Sequence, residues 1–448
     1  ETKIAGVHAT RAQSEDIKKA DNRWPMAKFA TAAPGLDWKA FFTAAHLESR
    51  PFFYVWHPGA TTGEAALVAS EPLAVWKEYL QLREVEHHAA VLPKAFDDEH
   101  FAFYGKVLSG VPEQQARWKR AVDATSAGLG QAVGKLYVAK YFPPSSKAAV
   151  EVMVKDLIAA FRKRIEGLTW MAPATKAEAE RKLSTLYVGV GYPDHWIDYS
   201  GLKVSPTDAY GNQDRAELFE YRRNLAKFGK PVDRGEWAMN PQLVNAVNLP
   251  VRNALNFPAA ILQPPYFDPR NSLAMNFGGT GATIGHEISH SFDDQGAQFD
   301  SQGQLRNWWT PSDYAHFEAS GTALADQFSK YHPFPDLALN GKQVLSENIA
   351  DIAGLNAAYD AYRIAEGGKE GPTLQGFTGD QQFFIAFAQG WRTKMREALL
   401  RRLVITDGHA PAEYRADTVR NMDAWYPAFD VKPGETLYLP PDQRVHVW

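Results

Sequence analysis

Not one of the 448 residues is cysteine. Disulfides, zinc thiolates, iron–sulfur clusters and thiol nucleophiles are thereby excluded at once. The chain must hold itself together by packing and hydrogen bonding, and any metal must be bound by histidine and carboxylate. Material for packing is plentiful: 45% of the residues are hydrophobic, and 13 Trp, 18 Tyr and 25 Phe supply large apolar anchors. A chain of this length can build two or three domains with large cores. Forty-eight basic against 52 acidic residues leave a net charge of −4, which gives no drive toward nucleic acid or anionic lipid. No apolar run approaches the ~20 residues of a membrane span, so no membrane contact is expected. A cysteine-free chain suits an exported protein, periplasmic or extracellular, with its signal segment outside this sequence.

Up to about residue 195 the pattern is mainly helical. Pro72 to Val91 places Leu73, Val75, Trp76, Leu80 and Leu82 among charges, with Pro72 at or near the first turn. Leu129 to Tyr141 repeats the pattern. So does Val150 to Ile165, with Val150, Val154, Leu157, Ile158, Phe161 and Ile165 near i, i+3, i+4 spacing. Thr175 to Leu186 opens with Thr175 and Glu178, a capping-box spacing. Glu1 to Lys19 reads as helix already in mid-flow. His87-His88 reads as a surface pair. Further on, 242–262 reads as short strands and loops, and Ser346 to Tyr362 and Phe377 to Leu400 read as helices.

Chemistry concentrates at His286-Glu287-Ile288-Ser289-His290. On a helix, i and i+4 share one face, so both imidazoles can reach a single zinc ion, with Glu287 beside them to activate a water. Ala282, Thr283 and Ile284 make a largely apolar lead-in, as for a buried helix. Catalytic zinc needs a third protein ligand. Gly296 stands where an extended motif of another zinc-peptidase class would place a third His. Glu347 and Asp351, i and i+4 in an apolar setting (Ile349, Ala350, Ile352, Ala353), are the best candidates: one as ligand, one to take the spare N–H of a ligating imidazole. Gly278-Gly279-Thr280-Gly281 lacks a following Gly-Lys-Ser/Thr and reads as a tight turn before the zinc helix.

These motifs resemble the neprilysin and endothelin-converting-enzyme family of zinc metallopeptidases, a branch of the gluzincins. Phe257-Pro258-Ala259 to Pro264-Pro265-Tyr266, Asn276-Phe277-Gly278-Gly279, Phe292-Asp293-Asp294-Gln295-Gly296, Asn307-Trp308-Trp309 and His409-Ala410-Pro411 match in order. The resemblance implies a mainly α (α+β) fold, with an active site in a cavity between two domains. Residues 1–200 would be the C-terminal part of a helical capping domain, and 201–448 a thermolysin-like zinc peptidase domain with a small β-sheet. It implies one Zn2+ held by His286, His290 and Glu347. Glu287 would be general base and then acid, with Asp351 and Asp293 orienting His286 and His290. Asn245 and Ala246 would hold the substrate backbone, His409 the oxyanion and Arg415 a peptide carbonyl. Ile261, Tyr266, Ala282, Thr283, Gly390 and Trp391 would line the S1′ pocket.

The chain also departs from the family pattern. Val247 replaces an aromatic, Gly390 a branched apolar residue and Ser291 a glycine; Ala282 and Thr283 are smaller or more polar than usual. The expected activity is hydrolysis of oligopeptides on the amino side of apolar residues. The rivals are a catalytically weak peptide-binding or scaffold protein on the same fold, and a zinc hydrolase for another substrate. Family members are longer, so the chain is expected to pair with its own N-terminal segment.

Overall fold

Trp24, Phe29, Phe42 and Val55 are buried with Ala33 and Ala65 in a small core near the start of the chain. Phe29 meets both Trp24 and Phe42 edge-on at 5.1 Å between ring centroids, the geometry that ring quadrupoles favour. An antiparallel ribbon of β1 (Arg23–Pro25) and β2 (Phe52–Tyr54) brings Trp24 and Phe53 into it. The computed structural model describes every residue except Glu15, and this core belongs to the first of two compact units, Glu1–Lys106; the second is Val107–Trp448.

Two expectations change in the first unit, while the helix entry expected at Pro72 stands. The stretch to Lys19 is broken into Thr2–Val7, Arg11–Ser14 and Ile17–Lys19; Glu15, part of that expectation, lies outside the described residues. The helix after Glu71 runs Leu73–His88, so Pro72 is its N-cap. His88 is buried, with Nδ1 3.1 Å from the Glu84 carbonyl, and is no surface residue.

In the second unit, α1 (Pro144–Gly167) buries Val150, Val154, Leu157, Phe161 and Ile165 along one stripe. These side chains share a core with Ile284 and Ile288 of the HExxH helix. Packing therefore continues across residue 200, within the second compact unit. α2 (Pro173–Thr185) starts two residues before Thr175, with Pro173 in its first turn. Thr175 donates to Asp313 Oδ2 at 2.6 Å and Glu178 accepts the Ser301 amide at 2.9 Å. The pair makes tertiary contacts and is not a capping box. β3 (Tyr187–Gly191), β4 (Val247–Leu249) and β5 (Ala254–Pro258) form a sheet in the order β3-β5-β4, parallel then antiparallel, so β4 is an edge.

The HExxH helix is α3 (Ala282–Ser289), which continues unbroken from Leu273–Asn276 and a π-helical turn Phe277–Gly281. The glycine run is thus not a tight turn. A Cβ on Gly278 would lie 2.0 Å from the Phe383 carbonyl oxygen, and one on Gly279 2.4 Å from that of Tyr266. The missing side chains let neighbouring backbone pass. α4 (Leu345–Ala365) and α5 (Gly379–Gly390) follow. The single helix expected over 377–400 is two, since Glu397–Thr406 starts anew after Trp391–Arg396. The fold is mainly α with two small sheets. No helix among the described residues is long and apolar enough to cross a membrane.

Candidate active site

α3 and α4 cross at backbone distance because both carry glycine at the crossing. A Cβ on Gly285 would sit 2.3 Å from the Gly354 oxygen, and one on Gly354 2.3 Å from the His286 nitrogen. Glu347, Asp351 and Gly354 are i, i+4 and i+7, one face of α4. Docking Gly354 against His286 therefore aims both acids at the imidazoles. Glu347 lies in the first turn of α4, where the helix dipole favours a carboxylate.

His286 and His290 point Nε2 at each other across 3.0 Å. Each Nδ1 faces a carboxylate: His286 to Asp351 Oδ1 at 2.8 Å, His290 to Asp293 Oδ2 at 2.6 Å. With Nδ1–H donating to those acids, two Nε2 lone pairs confront one another, and a proton or a cation must come between them. Glu347 completes the set, with Oε2 3.2 Å from His286 Nε2 and Oε1 3.6 Å from His290 Nε2. Tetrahedral zinc with ligand bonds near 2.0–2.1 Å separates its ligand atoms by about 3.3 Å. Glu347 Oε2 is also buried without a hydrogen bond of good geometry, although His286, His409 and Arg415 lie 3.2, 3.1 and 3.6 Å away. These residues fit a zinc ion.

The electrostatics agree. Burial works against the His290 imidazolium, yet Glu347 and then Asp293 raise its pKa well above the ordinary value. Burial likewise opposes the Glu347 carboxylate, but the His290 charge, with the His286 and His409 nitrogens close by, holds it well below the usual range. A site that draws positive charge so strongly suits a cation. Glu287, on the same helix, is different: burial raises its carboxyl, while His286 and His290 pull the other way. That is the shift a general base near neutral pH needs.

The remaining candidates have the following surroundings. Arg415 grips Asp351 through Nε and Nη2, both at 2.8 Å, and its guanidinium lies 4.3 Å over the Trp391 ring. His409 is half-exposed, with Nε2 3.1 Å from Glu347 and Nδ1 2.7 Å from Asp407. Tyr266 donates to the Gly390 carbonyl at 3.3 Å, and a Cβ on Gly390 would come within 3.1 Å of the Tyr266 ring. Tyr266, Gly390, Trp391 and Arg415 thus form one continuous wall. Ala282 and Thr283 sit one turn before His286; Ala282 and Ile261 are buried. Asn245 precedes the edge strand β4, with Oδ1 turned onto the Ala246 amide at 2.9 Å.

Four supporting groups escaped the sequence reading. Asp407, two residues from His409, was detectable by proximity. Asn248 donates to the Glu287 carbonyl at 2.7 Å and Ser291 Oγ at 2.9 Å, tying β4 to α3. Ser346 donates to Asp294 Oδ1 at 2.7 Å; burial, with Asp293 adding to it, pushes the Asp294 carboxyl up to about 7. Lys182 of α2 is buried against the turn after α3; burial pushes its pKa down to about 7, against the pull of Asp293, Asp300 and Glu178. Neither Asn248 nor Lys182 stands at a motif spacing, whereas Asp294 and Ser346 adjoin Asp293 and Glu347 in sequence.

Comparison with known proteins gives a consistent answer. Residues 245–445 and 1–193 match two models of Peptidase family M13. The chain is 36% identical over 375 residues to the neutral endopeptidase of Lactobacillus helveticus, covering 83% of this chain and 56% of that protein. It is 33% identical over 384 residues to neprilysin-3 of Drosophila melanogaster, covering 83% and 48%. The chain thus spans about half the length of the curated relatives it matches. Among solved structures, the Mycobacterium tuberculosis zinc metalloprotease Zmp1 in complex with inhibitor superposes with a TM-score of 0.95 at 41% identity, covering 100% of this chain and 69% of that one. The matches to both family models and the superposition over the whole chain give one conclusion: this chain belongs to peptidase family M13.

Proposed function

We propose that the chain carries the catalytic centre of a zinc-dependent endopeptidase that hydrolyses oligopeptides. The observation behind this is the convergence of His286, His290 and Glu347 within 3.0–3.6 Å beside the buried acid Glu287. One zinc ion held by these three residues would polarise the scissile carbonyl and acidify a water molecule. Glu287 takes the proton of the attacking water and later delivers it to the leaving amine. Asp351 and Asp293 keep the two imidazoles in the tautomer that leaves Nε2 for the metal. His409, when protonated, donates toward the developing oxyanion, with Asp407 holding its other nitrogen. Two of Arg415's nitrogens are committed to Asp351, which leaves Nη1 for a peptide carbonyl.

The substrate backbone adds alongside β4, an edge strand whose outer side pairs with no strand among the described residues. The wall of Tyr266, Gly390 and Trp391, with Ile261, Ala282 and Thr283, favours an apolar residue on the amino side of the leaving peptide. A quenched-fluorescent peptide library tests this reading. Zinc-dependent cleavage before apolar residues is expected, with loss of signal in a chelator and recovery on adding zinc. Zinc-bound protein that cleaves no peptide in the library would sink it.

A further inference from the structure

Lys182 is only 2% exposed. An ammonium so placed needs an acceptor for each of its three protons. It has three, all backbone carbonyls of the turn after α3: Ser291 at 2.6 Å, Gly296 at 2.9 Å and Phe299 at 2.6 Å. The rings of Phe292 and Trp308 flank it, with centroids 5.4 and 5.7 Å from Nζ. Three carbonyl dipoles converging on one point repel each other, so the turn needs the Nζ donors to keep its shape.

The same turn orients a metal-ligand candidate. Asp293 Oδ1 accepts the amides of Gln295 at 2.9 Å and Gly296 at 2.6 Å, while Oδ2 holds His290 Nδ1 at 2.6 Å. Gly296 is the joint. Its carbonyl takes Lys182 and its amide donates to Asp293. From Nζ to the imidazole the path is three hydrogen bonds, linked through the Gly296 backbone and the Asp293 carboxylate.

We propose that Lys182 is a positioning residue of the metal centre: by gathering the carbonyls of Ser291, Gly296 and Phe299 it fixes Asp293, and through Asp293 the ring of His290. The proposal rests on the zinc-site reading above. It differs from a plain structural role for a buried lysine, which predicts loss of stability with an unchanged metal site.

The test replaces Lys182 in the intact protein and reads the metal. Lys182→Met keeps most of the stem's volume and removes the donors. Chelator competition should show zinc affinity reduced about 10–100-fold, as for loss of a ligand's outer partner, and cobalt(II)-loaded protein should show an altered d–d absorption band. Leu183→Ala, a buried neighbour on α2, should lower thermal stability while leaving both readouts as in wild type. If Lys182→Met does not fold, Lys182→Gln carries the same expectation. Adding either change to Asp293→Asn should cost little further affinity, because both act through one path. Wild-type affinity and spectrum in the Lys182 variants would overturn the proposal. So would equal weakening by Leu183→Ala, or full additivity with Asp293→Asn. Wild-type protein that binds no zinc would defeat the zinc reading as well, whereas zinc-binding wild type with unaffected Lys182 variants defeats this proposal alone.

Discussion

His286 is held from α4 by Asp351, 65 residues further along the chain, whereas His290 is held by Asp293, only three residues on. The α4 flank is an ion-pair arrangement: Arg415 grips Asp351, and Asp351 grips the imidazole. The loop flank is a backbone arrangement, in which Asp293 is pinned by two amides of its own turn. On one flank a buried charge depends on another buried charge; on the other a carboxylate depends on loop shape. Removing a carboxylate should therefore have different consequences on the two sides.

The largest effect belongs to the residue that serves both flanks. Glu347 faces His286 at 3.2 Å and His290 at 3.6 Å, so Glu347→Ala should lose zinc and turnover together. Metal analysis after dialysis checks this, and stoichiometric zinc in the variant would place the third ligand elsewhere. Glu287→Gln should instead retain zinc while kcat falls about 10²–10⁴-fold, since proton transfer is removed and no ligand is. Near wild-type turnover would end its assignment as base.

The comparison itself is tested by Asp351→Asn against Asp293→Asn. Both should weaken zinc about 10–100-fold. Only Asp351→Asn strands the buried Arg415 guanidinium, which costs about 3–5 kcal/mol of stability when a buried pair loses one member. Urea denaturation of the metal-free proteins measures the difference. Equal losses would mean that the flanks are not distinct.

The smallest effect is in pH. In metal-free protein both imidazoles are raised above the ordinary histidine value of 6.5, His290 the more strongly. A raised histidine contributes stability that is complete below its unfolded pKa and is lost as pH rises through its folded pKa. Metal-free protein should therefore lose stability as pH rises above 6.5, with His290 titrating after His286 by NMR. Zinc-loaded protein should show the reverse metal term, since the metal requires neutral imidazoles. A flat metal-free profile, or His286 titrating last, would contradict the electrostatic account.

Much of the centre was legible in the primary structure because its rules are local. His286 and His290 at i, i+4 share a face on any helix, as do Glu347 and Asp351. The family resemblance then supplied expectations for His409, Arg415 and Asn245 that spacing could not have suggested. The misreadings have local causes too. Thr175 and Glu178 have capping-box spacing, but Pro173 starts the helix earlier and frees both for tertiary partners. The glycines at 278–281 carry turn composition, yet the chain stays helical because the space above them is filled by the backbone of Tyr266 and Phe383.

The sequence by itself narrowed the donor types: without cysteine a metal must be held by histidine and carboxylate, and the HExxH pair together with the acidic i, i+4 pair in apolar surroundings stood out as candidates. Tertiary structure decided how those donors meet. Gly285 and Gly354 bring two helices to backbone contact, and Arg415 joins Asp351 across 64 residues of sequence. Lys182, placed on its helix like any solvated charge, turns inward to hold the turn beneath His290. Periodicity tells which side chains share a face of one element. It cannot tell which other element lies against that face, because that depends on close packing between residues far apart in the chain.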